Sequence, residues 1–335
     1  MNSVIRRQVR HLPFSEARAL SPVATVRKTD IVIVPARNEG TKIASTLGYL
    51  LIEMGFDPSQ ILVIVNHSVD DTADRARRLG VVVLDQDEIL TPVVVERLQT
   101  EYGIDPARLC GKGTAMFAAC LELERRQTSA NARVFFLDAD IKNLAQLDII
   151  GLLMSGWHQW GESVRIVKLA SLCRNNEGML AFLGLPGIPY MQVGAMQWVL
   201  CGQMMLRWRD LRIMRGATRY AIEMAMLMDL WERHHDLGAL GEVAIGEPLE
   251  DKRNTDHDHA VMYRGIMAYV LQLMSSSTNW RAIHKITREE IVVMNAITGN
   301  PLGFFAPPSD GVGPSVFENP PLDAILPSAA EFMGS

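Results

Sequence analysis

Apolar residues in the first half of this chain come in short unbroken runs, not in alternation. Asp30–Val34, Ile61–Val65, Val81–Leu84 and Val134–Leu137 each read as a strand buried on both faces. Between them the spacing turns helical. Ile43, Leu47, Leu50, Leu51 and Met54 mark one face over 41–54, Asp71–Leu79 forms a helix with Asp70 or Asp71 as its cap, and Thr114–Arg126 forms another. Strands that alternate with helices predict a mostly parallel sheet covered on both faces, an α/β class of Rossmann-like type. Pro35 is expected to stop the first strand.

The second half differs. Val164–Ser171 reads as a strand, Met196–Met205 and Tyr220–Trp231 as apolar helices, Val243–Ile245 as a short strand and Ala260–Met274 as a long helix. Residues 1–29 are polar and mixed, and read as a mobile or loosely docked arm. Residues 30–150 then form a nucleotide-binding half and 151–299 an acceptor half of the same domain. From Asn300 to residue 335, proline and glycine dominate, as in an extended tail that wraps the body or a partner chain; a homodimer is one arrangement this allows.

Composition narrows the chemistry. With 335 residues, 48% hydrophobic and 21% charged, the chain is globular. A formal charge of -5 gives no global attraction to nucleic acid or anionic membrane, so phosphate binding must fall to local basic groups. Cys110, Cys120, Cys173 and Cys201 lack Cys-x-x-Cys spacing, which fits a reducing cytoplasm and argues against a zinc knuckle. MNSVIRRQVRHLPF has no apolar segment after its basic residues and is not read as a signal peptide. Gly178–Leu206 carries no charge, but Pro186, Pro189, glycines and Gln192, Gln197 and Gln203 make it a buried loop and helix lining a pocket in preference to a membrane contact.

The chemistry-bearing residues lie where these strands end, the edge at which open α/β sheets hold ligands. Asp138-Ala139-Asp140 follows Val134–Leu137. Two carboxylates one residue apart suit a hard divalent cation, which takes oxygen ligands and shares them with substrate phosphates; the competing reading is a strand end and helix cap. Pro35-Ala36-Arg37-Asn38-Glu39 leaves the first strand: Arg37 could meet a phosphate, Asn38 and Glu39 a base or ribose. Asn66-His67-Ser68-Val69-Asp70-Asp71-Thr72 leaves the second, with Asn66 the better ligand contact and Asp70 and Asp71 equally suited to capping. Gly111-Lys112-Gly113 precedes the helix from Thr114 and suits phosphate, without being a Walker motif. No Gly-x-Gly-x-x-Gly follows the first strand, which argues against a dinucleotide site. Asp251–His259 is a second polar cluster, whose His257 or His259 could reach a metal held by Asp140. Glu223 and Asp229 lie six apart in an apolar helix, so one is expected to face solvent, with Glu223 toward the site.

In this order, PARNE, NHSVDDT, GKG and FFLDAD resemble the GT-A fold of nucleotide-sugar glycosyltransferases. GKGTAM, LDADIKN, RYAIEMAMLMDLWER and KRN resemble, more narrowly, the retaining glucosyl-3-phosphoglycerate synthases and their mannosyl relatives, over about residues 30–275. The resemblance implies that Pro35, Arg37, Asn38 and Glu39 border the nucleotide, Asn66 lies near the base and Lys112 faces the diphosphate. It further implies that Asp140 ligates Mg²⁺ or Mn²⁺ with Asp138 on metal or ribose, and that Glu223 holds donor sugar or acceptor hydroxyl, with Gly202, Arg253 and Asn254 on the acceptor side. The family's metal-binding His precedes an Arg-Asn pair. Here Lys252 stands there, so either His257 or His259 substitutes or the metal shell differs. The implied activity is hexose transfer from a UDP- or GDP-sugar to a small hydroxyl acceptor such as 3-phosphoglycerate, with retention. The alternatives are a sugar-phosphate nucleotidyltransferase, which PARNEG fits poorly because it lacks that class's glycine-rich signature, and a degenerate, non-catalytic binding protein.

Overall fold

The computed structural model describes residues 9–21, 25–102, 106, 109–171, 196–214, 216–234, 236–246, 266 and 318–319. The strands are β1 (Arg10–Leu12), β2 (Ile31–Ala36), β3 (Ile61–Val65), β4 (Val82–Asp85), β5 (Arg133–Phe136), β6 (Ile166–Ser171), β7 (Met204–Arg207), β8 (Gly216–Ala217), β9 (Leu240–Ile245) and β10 (Glu318–Asn319). One sheet takes eight of them in the order β1-β9-β6-β7-β5-β2-β3-β4, and β8 pairs with β10 apart from it. Every pairing in the large sheet is parallel except those of β7, which runs antiparallel to both β5 and β6. This is the expected α/β architecture.

The unbroken apolar runs have the cause inferred for them. β3, β5 and β6 are buried at every position because helices cover both faces. On one face lie the helices Gly111–Arg125 and Ile222–His234; on the other lie Ile43–Gly48 and Ile149–Trp160. A short π-helical stretch, Tyr49–Glu53, continues the helix Ile43–Gly48 and completes the face predicted for 41–54.

Several expectations are corrected. The first strand runs through Pro35 to Ala36, in register with Ile64 and Val65 of β3. The β5 ladder opposite reaches only Ile33 in register, so proline's missing N–H leaves no gap on that side. The segment 1–29 is not uniformly loose: Arg10–Leu12 is an edge strand on β9, and Phe14–Leu20 forms a helix packed beside Ile149–Trp160. Met196–Met205 is not a helix. Residues 196–203 are irregular, and Met204 begins β7. A short apolar run fits either element by periodicity alone, and cross-strand pairing between β5 and β6 decides it here. Both Glu223 and Asp229 are buried, where one was expected in solvent. Glu223 meets Lys112, and Asp229 accepts from Arg233 Nε at 2.7 Å. The expected helix Ala260–Met274, apart from the buried Ile266, and most of the tail from Asn300 lie outside the described residues. No described helix is long and apolar enough to cross a membrane.

At the amino edge of the sheet, Asp30, the residue before β2, and Arg133, the first residue of β5, form a buried ion pair. Arg133 Nε donates to Asp30 Oδ1 at 2.9 Å, and its Nη2 reaches both Asp30 Oδ2 and the Thr25 carbonyl. Removing one partner strands a buried charge, at a cost of about 3–5 kcal/mol. Arg133→Met should therefore lower the unfolding free energy by that amount, read from the shift of the denaturant midpoint at unchanged slope. Arg133→Met combined with Asp30→Asn should recover part of it; a single variant as stable as the wild type contradicts this assignment.

Candidate active site at the carboxyl edge of the sheet

Parallel strands place their following loops on one edge. β2, β3, β4 and β5 do so here, and antiparallel β7 brings the residues before it to the same edge. The pairing of Phe136 with Met204 sets Gln203 and Gly202 beside the Asp138 turn. β6 and β9 also end here, and the chain after Ser171 and after Gly246 lies outside the described residues. Arg253, Asn254, His257 and His259 therefore have no described position.

The loops after β2 and β3 are laced together. Val69 N donates to Asn38 Oδ1 at 2.9 Å, Asn38 N to Ser68 Oγ at 3.0 Å, Glu39 N to Thr72 Oγ1 at 2.8 Å and Gly40 N to Asp70 Oδ2 at 2.9 Å. Asn38 stands at φ 56° and His67 at φ 47°, left-handed conformations that asparagine and histidine adopt more readily than most residues. Asp70 also accepts from Thr72 N and Thr72 Oγ1. What burial it has opposes its charge, but these hydrogen bonds outweigh that and hold its carboxyl below the usual aspartate range. Asp70, not Asp71, supplies the bond to the start of the helix Thr72–Arg78. Asn38 and Asp70 thus shape the loops. Arg37 is exposed, Pro35 is half-buried at the strand end, and Glu39 pairs with Lys42 at 3.2 Å.

Asn66 and Gln86 are the first residues past β3 and β4. Asn66 Nδ2 donates to Gly111 O at 2.7 Å and Gln86 Nε2 to Leu109 O at 3.2 Å, so both amides hold the approach to Lys112. Asn66 Oδ1 and Gln86 Oε1 are buried acceptors without a partner among the described residues. Gly111-Lys112-Gly113 does not precede its helix, as the sequence suggested, but forms the first turn of Gly111–Arg125. Gly111 has φ +81°, a geometry that favours glycine.

Lys112, Asp138 and Glu223 meet at the centre. Lys112 Nζ lies 2.5 Å from Asp138 Oδ1 and 2.9 Å from Glu223 Oε1, and Gln203 Nε2 donates to Asp138 Oδ2 at 2.7 Å. Burial works against the Lys112 charge, yet the two carboxylates outweigh it and raise the ammonium above the usual lysine range. Any larger residue at Gly202 would have to displace the Lys112 ammonium. A Cβ there would stand 2.0 Å from Lys112 Nζ and 2.7 Å from Asp138 Oδ2. Gly202 and Glu223, which the resemblance assigned to acceptor and sugar, thus adjoin the Lys112–Asp138 pair. Tyr220, 47% exposed, lies nearby, with Lys112, Asp138, Glu223 and Arg37 as its charged surroundings.

Asp140 sits half-buried in the turn after β5, which Thr46 Oγ1 fixes by donating to Ala139 O at 3.1 Å. The two acids of the triplet are unequal: Asp138 accepts from an ammonium and an amide, whereas Asp140 lies two residues along the turn. An all-oxygen donor set of one or two carboxylates fits a hard cation completed by substrate phosphates. No group of three His, Cys, Asp or Glu converges on one point among the described residues. Gln203, Lys168 and Glu242 escaped the sequence reading as site residues. Gln203 appeared only as a polar residue in an uncharged stretch, and a charge inside each of two buried strands was the available signal for the others.

No family model and no curated protein sequence matches the chain. Solved structures do match it. A crystal structure of glucosyl-3-phosphoglycerate synthase from Mycobacterium tuberculosis with Mn²⁺, uridine-diphosphate-glucose and phosphoglyceric acid is 24% identical at TM-score 0.56, covering 81% of this chain and 88% of that one. One with Mn²⁺, uridine-diphosphate-glucose and glycerol 3-phosphate is 25% identical at TM-score 0.56, covering 77% and 83%. A third structure of the same synthase is 24% identical at TM-score 0.57, covering 79% and 87%. The likeness is one of fold, and the fold is GT-A.

Proposed function

We propose that this chain is a metal-dependent GT-A glycosyltransferase moving a hexose from a nucleoside-diphosphate sugar to a small hydroxyl acceptor. The observation that carries the reading is the junction of Lys112, Asp138 and Glu223 beside Asp140, at the carboxyl edge of a GT-A sheet. The matched synthase structures hold Mn²⁺ and uridine-diphosphate-glucose, with phosphoglyceric acid or glycerol 3-phosphate as the third component. UDP-glucose is accordingly the first donor to test and 3-phosphoglycerate the first acceptor.

Asp140, with Asp138 beside it, would hold Mg²⁺ or Mn²⁺, which neutralises charge on a leaving diphosphate. The protein's own groups supply the rest. An ammonium has three N–H donors, and two of those of Lys112 face Asp138 and Glu223, so the third is available to a phosphate oxygen. Glu223 is engaged by Lys112, which suits it to orient a sugar or acceptor hydroxyl better than to attack the anomeric carbon. Retention then follows from attack on the face the diphosphate leaves. The acceptor oxygen bonds to the anomeric carbon as the C–O bond to phosphate breaks, and its proton passes to the leaving phosphate oxygen.

Incubation with UDP-glucose, 3-phosphoglycerate and Mn²⁺ should yield free UDP and a glucosyl product whose anomeric proton coupling is that of the α-anomer. Absence of product with both UDP- and GDP-hexoses, across phosphorylated and neutral acceptors, would rule the transferase reading out.

A further inference from the structure

A row of charged side chains runs through the sheet beside the site, unused by the chemistry above. The parallel registers put His11 of β1, Glu242 of β9 and Lys168 of β6 side by side on one face. Lys168 is fully buried and Glu242 is 1% exposed, whereas the His11 side chain is 40% exposed. Charges in the middle of buried strands are costly without partners, and the partners here are instructive. Glu242 accepts from Gln197 N at 2.8 Å and Trp198 N at 3.1 Å, and Lys168 Nζ donates to Val199 O at 2.6 Å. His11 Nδ1 lies 3.3 Å from Glu242.

Three consecutive backbone units are therefore pinned from below by two side chains. The chain then runs through Cys201 to Gly202, which leaves no space for a Cβ beside Lys112, and to Gln203, which donates to Asp138. Any slip of 197–199 is passed within a few residues to the atoms that hold the Lys112–Asp138 pair. Burial lowers the Lys168 amine below the usual lysine range, against the pull of Cys201, Glu223 and Glu242, and raises Glu242 despite its two backbone donors. Apolar residues of similar size would fill the same volume at lower electrostatic cost, so the row is better explained by the alignment it imposes.

We propose that Glu242 and Lys168 are positioning residues that fix the Gln197–Gln203 segment and through it the reacting centre, while leaving donor binding largely untouched. This rests on the transferase reading for its kinetic test. Glu242→Gln keeps volume and one acceptor oxygen, and Lys168→Met keeps length without the charge. Each should lower kcat for transfer from UDP-glucose at least about 10-fold, since a displacement of about 1 Å can cost about 100-fold. The KM for UDP-glucose and the melting shift produced by UDP with Mn²⁺ should stay within about twofold of wild type. Glu242→Ala should fall below Glu242→Gln.

A second readout does not depend on activity. Hydrogen exchange at the Gln197, Trp198 and Gln203 amides should quicken at least about 10-fold in Glu242→Gln, with protection in β3 unchanged. Wild-type kcat in both variants overturns the proposal. So does a parallel loss of kcat, donor binding and β3 protection, which would mark a merely structural role. If the wild type binds no nucleoside-diphosphate sugar, the transferase reading fails by itself; the exchange result still decides whether the segment is clamped.

Discussion

Lys112→Met is expected to be both destabilised and nearly inactive. The ammonium stands between Asp138 and Glu223, with side chains 27% and 5% exposed, and its loss leaves two carboxylates facing each other over an apolar stem. Breaking a buried ion pair costs about 3–5 kcal/mol, and the partial exposure of Asp138 points to the lower end. Removing one preorganised donor from a developing anion costs about 100- to 1,000-fold in turnover, and Lys112 also holds Glu223 in place. A denaturant midpoint and a single-turnover rate on UDP-glucose measure the two losses. Lys112→Met with Glu223→Gln separates them: stability should partly return, because one stranded charge is gone, while activity should not. If Lys112→Met retains turnover, the lysine is structural and the proposed chemistry is misplaced.

Asp140→Asn should show the opposite balance. Asp140 is half-buried in a turn that Thr46 Oγ1 fixes by donating to the Ala139 carbonyl. Asparagine keeps the size and one acceptor oxygen of the aspartate, so the melting temperature without ligand should lie within a few degrees of the wild type. Its metal-dependent response should vanish. A ligand that binds only the folded state at 100 times its Kd raises stability by about 2.7 kcal/mol, so UDP with Mn²⁺ should raise the wild-type melting point measurably and leave Asp140→Asn unmoved. Turnover should fall at least about 1,000-fold, because several kcal/mol of charge stabilisation come from the metal. Asp138→Asn is a useful contrast: it loses the charge facing Lys112 and leaves one acceptor oxygen where Lys112 and Gln203 use two, and should lose stability as well as rate.

Much of the sheet was legible because double-sided burial writes itself as unbroken apolar runs. Ile61–Val65 was read to the residue, and β2, β4, β5 and β6 shifted by one or two positions at their ends. β7 was not legible. Met204–Arg207 continues an apolar stretch that fits a helix, and its long-range pairing with β5 and β6 makes it a strand. The edge strand β1 was missed for a related reason: three polar-flanked residues carry almost no periodic signal, and β9 supplies their partner from 231 positions away for Arg10 and Gly241.

The site divides the same way. That Asp138, Asp140 and Asn66 gather at one edge was legible because strand-end position is visible in sequence, whereas Lys112 was marked by its flanking glycines at a helix start. That Glu223 belongs with Lys112 required the Ile222–His234 helix to be placed, although the cost of a carboxylate in an apolar helix had marked it. The apparent conflict between Glu223 and Asp229 arose from assuming that one helical face must be wet. Arg233, four residues after Asp229, lets that second acid stay buried. Asn38 was read as a ligand contact and Asp70 as equally suited to capping; in the structure both accept from backbone N–H groups across the two loops, since polar side chains after a strand can bond a neighbouring backbone as readily as a ligand.

The central claim is that a metal-dependent nucleoside-diphosphate sugar site occupies this edge. Titration calorimetry of UDP-glucose into the wild type, with and without Mn²⁺, tests it most directly. The account predicts a saturable isotherm near one site per chain only when metal is present, lost in Asp140→Asn and weakened in Lys112→Met. Equal binding with and without metal, or an isotherm unchanged in Asp140→Asn, would contradict it.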